Sequence, residues 1–102
     1  MFKNKKAAIL IKKKLSEIFN RELIYFPYRK LIIITKVIVN YDFSLAKIYL
    51  SFFPKENKYN LIKIINNQSK YYKKILFKKL RFKFKKTPNI FFKIDDSHFT
   101  NI

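Results

Sequence analysis

Apolar residues change their spacing along the chain, and each change marks an element. Ala8, Ile11, Leu15, Ile18 and Glu22 recur at intervals of three and four, with Phe19 and Leu23 beside them. That period predicts an amphipathic helix from about Lys3 to Ile24, with Lys5, Lys6, Lys12, Lys13 and Lys14 mostly around its other faces. From Leu31 to Val39 the residues are largely β-branched, and Val37 and Val39 alternate with Lys36. Asn40-Tyr41-Asp42 is a turn signal. Beyond it Ala46, Ile48, Leu50 and Phe52 alternate with Lys47, Tyr49 and Ser51 up to Phe53. Two strands joined by a short Asn/Asp turn predict a hairpin.

A helical period returns after Pro54. Lys55-Glu56-Asn57 offers an N-cap, and Leu61, Ile64, Ile65, Tyr72, Ile75 and Leu76 carry the apolar face to about Arg81. Asn66-Asn67-Gln68-Ser69 interrupts it, because these short polar side chains compete for the backbone. Two helices meeting at a kink are therefore expected. Ile90, Phe92 and Ile94 then alternate with Phe91 and Lys93, a last strand. Pro27, Pro54 and Pro88 all fall between these segments, where a missing N–H does least harm. The order α-β-β-α-kink-α-β segregates strands from helices. It predicts an α+β fold, a three-stranded sheet with helices on one face.

Length sets the scale of that fold. A chain of 102 residues makes one domain, expected over residues 1–97, with 98–102 as a disordered tail. At 49% hydrophobic and 19% aromatic, the composition supplies a core. There is no cysteine, which excludes disulfides and thiolate metal sites. The apolar run from Ala7 to Ile11 ends at three lysines, too short for a signal peptide or a membrane span. A soluble, cytoplasmic monomer is expected.

The net charge of +18 changes the picture more. A composition rich in Lys, Asn, Ile, Phe and Tyr and devoid of Gly and Trp is typical of AT-rich genomes, so part of the basic excess reflects codon bias. Its placement is more telling. No acidic residue lies between Glu56 and Asp95. On a helix Lys70, Lys73, Lys74, Lys78 and Arg81 share about a third of the circumference, opposite Tyr72, Ile75 and Leu76. Ordinary solvated faces mix signs. This one does not, and it points to RNA phosphates. Phe77 falls among the lysines, where it can either stack on a base or pack under a loop. Lys83 continues the stretch. Lys12, Lys13, Arg29 and Lys30 are secondary candidates, whereas Lys47 and Tyr49 read as ordinary outward strand residues.

Enzymatic chemistry is not expected. Asp95-Asp96 is the only adjacent acidic pair, and two carboxylates make a poor metal or catalytic site, so a turn or charge-pairing role is favoured. His98, the sole histidine, lies in the expected tail. Without glycine or cysteine there is no nucleotide-binding loop, nucleophile elbow or zinc pattern. No cofactor, metal or small-molecule substrate is expected.

The element order resembles a type II KH domain, an RNA-binding module. The segment from Val37 to Ser51, with its turn Asp and its Ala46-Lys47-Ile48-Tyr49-Leu50 strand, is similar to the central hairpin of the ribosome-binding factor A family. Leu80-Arg81-Phe82-Lys83-Phe84 with Thr87-Pro88-Asn89-Ile90-Phe91-Phe92 is similar to its final helix end and strand. Asp95-Asp96-Ser97 is similar to its closing motif, and Phe26-Pro27-Tyr28-Arg29 sits at its turn after the first helix. The family carries Ala-x-Gly at the kink; Gln68, Ser69 and Lys70 stand there instead, with Asn67 or Ser69 expected to carry the unusual backbone. The resemblance implies a ribosome assembly factor. It would bind the immature small (30S) ribosomal subunit through 16S rRNA, assist late maturation and rRNA processing, and work alongside other assembly factors. Two other readings remain: a structural ribosomal or general RNA-binding protein, and a cationic membrane-surface protein.

Overall fold

The structure is a computed structural model that describes residues 2–22, 31–53, 56–81 and 83–96. Its elements are α1 (Phe2–Glu22), β1 (Leu31–Val39), β2 (Leu45–Phe53), α2 (Lys58–Asn67), α3 (Ser69–Leu80) and β3 (Asn89–Ile94). β1 and β2 pair antiparallel, β2 and β3 pair parallel, and the sheet order is β1-β2-β3. The helices cover one face of it. The expected loop after the first helix, with Arg29 and Lys30, and the expected tail with His98 lie outside the described residues.

Alternation decides which face is covered. Ile32 and Ile34 of β1, Ala46, Ile48, Leu50 and Phe52 of β2, and Ile90 and Phe92 of β3 are buried. Against them pack Ala7, Ile11, Leu15, Ile18 and Phe19 of α1, Leu61 and Ile65 of α2, and Tyr72, Leu76 and Leu80 of α3. The α1 stripe begins at Ala7 rather than the expected Ala8, which is only half-buried. Each fully buried Ile or Leu stabilises the fold by roughly 1.5–3 kcal/mol. Phe19, Tyr72 and Phe92 meet with ring centroids 5.3, 5.7 and 6.0 Å apart. That triangle fixes α1, α3 and β3 relative to one another.

Three joints shape the molecule. In β1 the register slips between Ile34 and Lys36, leaving Thr35 as a bulge, after which Val37 and Val39 turn toward the helices. The Thr35 hydroxyl donates to the Asp95 carboxylate beyond β3, and the Asp95 N–H donates to the Leu50 carbonyl at 2.8 Å. Asp96 pairs with Lys58 at 3.0 Å. The acidic pair thus serves contacts within the fold, and among the described residues no three metal-ligating side chains gather.

The second joint starts α2. Asn57 occupies the N-cap, but in a left-handed conformation (φ 65°) and without a side-chain cap bond, so the expected capping is not made. The third is the kink, which falls on a single residue. Gln68 (φ −104°, ψ 13°) stands between α2 and α3, its N–H reaching the Ile65 carbonyl at 2.9 Å. Neither Asn67 nor Ser69 carries the break, because both lie in the helices that flank it. A negative φ needs no glycine.

Candidate nucleic-acid interface

Helix α3 turns its buried stripe, Tyr72, Leu76 and Leu80, to the sheet. The 100° step per residue then throws Lys70, Lys74 and Phe77 onto one flank, with Lys73 half-buried at its inner edge. The chain leaves α3 through a tight turn, in which the N–H groups of Lys83 and Phe84 both reach the Leu80 carbonyl at 2.8 and 3.0 Å. Phe84 packs against the core and against Phe43 of the hairpin turn, the two rings tilted by 58° with centroids 5.5 Å apart. This anchors the linker so that Lys85 and Lys86 come back alongside α3. Thr87 is buried beneath them, and the Asn89 N–H reaches the Ser44 carbonyl at 3.0 Å as β3 begins.

The result is an open groove of about 420 Å³ lined by Lys70, Lys73, Lys74, Phe77, Lys85, Lys86 and Thr87. Phe77 is 44% exposed on this wall rather than covered by a loop. Lys73 donates to the Asn89 side chain at 2.7 Å, which sets its stem across the groove and leaves two of its three N–H donors. Lys70 stands in the first turn of α3, where no acidic residue offsets it. A cation there opposes the helix dipole, so it adds to the positive potential of the helix start at some cost to the helix. Five ammonium groups thus surround an exposed ring, a donor set able to pair with phosphates beside a face able to stack on a planar ring.

The structure brings together Lys70, Lys73, Lys74 and Phe77 and sets the other candidates apart. Lys78 on α3 and Arg81 at its C-cap are exposed outside the groove walls. Lys83 lines a second hollow of about 590 Å³ with Asn4, Tyr41, Asp42, Phe43, Phe84, Lys85 and Lys86. Lys85 and Lys86 therefore form the rim common to both. Lys12 lies 3.5 Å from the Thr35 carbonyl, beside β1, and Lys13 is exposed on α1; neither lines either of these two hollows. Periodicity along α3 could not find Lys85 and Lys86 as groove residues, because the linker places them. The only available signal was the length of the acid-free stretch.

The uncovered face of the sheet carries Lys36, Lys47 and Lys93 among exposed apolar residues, Leu31, Ile33, Ile38, Phe53 and Phe91. Lys36, Tyr49 and Lys93 pair across the three strands, and the two ammonium groups lie 4.6 and 5.8 Å from the Tyr49 ring centre. Tyr49 is thus occupied by lysines of its own sheet. Asp42, in the hairpin turn, accepts from the Ser44 hydroxyl at 2.7 Å and the Ser44 N–H at 3.1 Å, both on Oδ1. Those bonds, hydroxyl first, hold its carboxyl below the usual 3.8, with a smaller contribution from Lys86. Among the described residues no helix is long and apolar enough to cross a membrane.

Comparison with known proteins agrees with this architecture. A family model described as Ribosome-binding factor A matches residues 3–101. The chain is 33% identical over 96 residues to Ribosome-binding factor A of Flavobacterium psychrophilum, covering 93% of this chain and 74% of that protein. It is 33% identical over 90 residues to the protein of that name from Buchnera aphidicola, covering 85% and 73%. The crystal structure of ribosome-binding factor A from Thermus thermophilus superposes with a TM-score of 0.73 at 14% identity, over 89% of this chain and 94% of that one. The fold is the α+β, KH-like arrangement expected from the element order.

Proposed function

Because the chain belongs to the ribosome-binding factor A family, we propose that it is an RNA-binding ribosome assembly factor. It docks on the immature small (30S) subunit through 16S rRNA and assists late maturation and rRNA processing. The observation that carries this reading is the groove between α3 and the linker to β3, with five lysines, no acid and an exposed Phe77. Ammonium groups neutralise phosphates and release condensed counterions, which gives affinity with little sequence information. Phe77 offers its face to an unpaired base. Lys78, Arg81 and Lys83 extend the positive field beyond the groove. No step calls for a cofactor: the protein acts by holding an unfinished RNA conformation.

The test is charge reversal. Lys70→Glu, Lys73→Glu and Lys74→Glu together should abolish co-sedimentation with precursor small subunits and leave the thermal unfolding temperature within a few degrees. Unchanged co-sedimentation would refute the interface. The same gradients separate this reading from a permanent ribosomal component, which would remain on mature subunits, whereas an assembly factor leaves them.

A further inference from the structure

The second hollow differs from the first in one respect that matters chemically. Its lining holds Lys83, Lys85 and Lys86, the tilted ring pair Phe43 and Phe84, and Tyr41, 90% exposed. Asp42 sits among them as the one carboxylate of the lining. A site for phosphate alone gains nothing from a carboxylate, which repels the ligand. A site for a base does gain, because a carboxylate accepts from N–H groups on a base edge.

The turn fixes this carboxylate in place. Both Ser44 bonds fall on Oδ1, so Oδ2 takes neither. Asn4 braces the same turn from α1, its amide donating to the Asn40 carbonyl at 2.7 Å and the Tyr41 carbonyl at 3.2 Å. Phe43 holds a left-handed conformation (φ 64°) that is uncommon for an aromatic residue, and its ring is locked on Phe84. The volume, about 590 Å³, is in the range of small-ligand sites. Lys85 and Lys86 border this hollow and the α3 groove alike, so a strand whose phosphates follow the groove passes the mouth of the hollow.

We propose that the hollow between the hairpin turn and the α3–β3 linker is a base-reading pocket for an unpaired guanine in the bound RNA, with Tyr41 as the stacking surface and Asp42 Oδ2 as the acceptor. Guanine is selected because its Watson–Crick edge sets N1–H and N2–H side by side, facing an acceptor, with O6 beyond them for a lysine. Adenine and cytosine each offer one amino group beside a ring nitrogen that a carboxylate repels. Uracil offers one N–H between two carbonyls. The pocket rests on the RNA-binding reading above and adds a base preference to it.

Binding of short RNA distinguishes the two. The probes are oligouridylates of about twelve nucleotides carrying one central guanosine, adenosine or uridine. The wild-type protein should bind the guanosine strand about tenfold more tightly than the adenosine strand, the scale of one good edge contact. Asp42→Asn keeps an acceptor for Ser44 but presents an N–H donor where Oδ2 stood. It should bring the ratio to within about twofold and leave binding of the plain uridine strand equal or slightly tighter, since a negative charge is gone. Tyr41→Ala should weaken the guanosine and adenosine strands alike, by about tenfold. A wild-type ratio within twofold, or a ratio that Asp42→Asn leaves intact, would overturn the pocket alone. Loss of salt-sensitive binding to every strand would instead overturn the RNA reading beneath it.

Discussion

The side-chain amide of Asn66 donates to the Phe92 carbonyl at 2.9 Å and accepts from the Phe92 N–H at 2.8 Å. β3 is an edge strand, and these two bonds satisfy a rung that no neighbouring strand reaches. Asn66→Leu removes both partners of a half-buried backbone pair, and a loss of about 1–3 kcal/mol is expected in urea unfolding. The asparagine cluster is legible in sequence as a break between helices. Its hold on β3 is not, because the partner lies 26 residues away. Asp42 makes a prediction of a different kind. Its folded pKa is lowered from 3.8 by the Ser44 hydroxyl and then the Ser44 N–H. A depressed carboxylate contributes stability that is present above its unfolded value and is lost as pH falls through the folded one. Asp42→Asn should therefore cost stability near pH 6 and cost less near pH 2.5, as compared by thermal unfolding at the two values. An identical difference at both would show that ionisation plays no part in the turn.

Gln68 makes the break between α2 and α3 with a backbone any residue can adopt. Glycine there would only enlarge the freedom of the unfolded chain. Gln68→Gly should destabilise by roughly 0.5–1 kcal/mol and Gln68→Ala should be near neutral, by the midpoint of urea denaturation. A stabilised Gln68→Gly would mean that the joint is strained after all. At this scale the chain was largely legible: the strands run where β-branched content placed the first, Leu31–Val39, and alternation the second, Leu45–Phe53, and the kink fell inside the Asn/Gln/Ser stretch. Periodicity fails where side chains do not repeat. The bulge at Thr35 shifts register by one residue while the residues around it stay β-branched, so nothing local announces it. The N-cap at Asn57 shows the converse, a capping residue in position with its side chain unused.

Charge acts over the whole molecule. Lysines on α3, its following linker and the open sheet face surround a chain with six acidic residues in 102, two of them the Asp95-Asp96 pair held by Thr35 and Lys58. If about six phosphates are neutralised, affinity for RNA should fall roughly a thousandfold between 50 and 200 mM salt. Filter binding across that range measures the slope, and a flat profile would contradict electrostatic docking. Composition revealed the sign of this field and the acid-free stretch revealed its centre. Only the tertiary fold showed that Lys85 and Lys86, from the linker, complete the groove.

The pairing of β3 beside β2 also governs how the protein is built in time. The hairpin can close locally, but Ile48 meets Phe92 across 44 residues of chain, after both crossover helices have formed. Closing such a distance makes the last strand a late arrival, and folding slower than for a simple hairpin-and-helix unit. The lysines of the α3–β3 linker reach their places only in that final step. A nascent or truncated chain lacking residues 89–94 would carry the full positive charge of α3 with no organised groove, and would stick to RNA without discrimination.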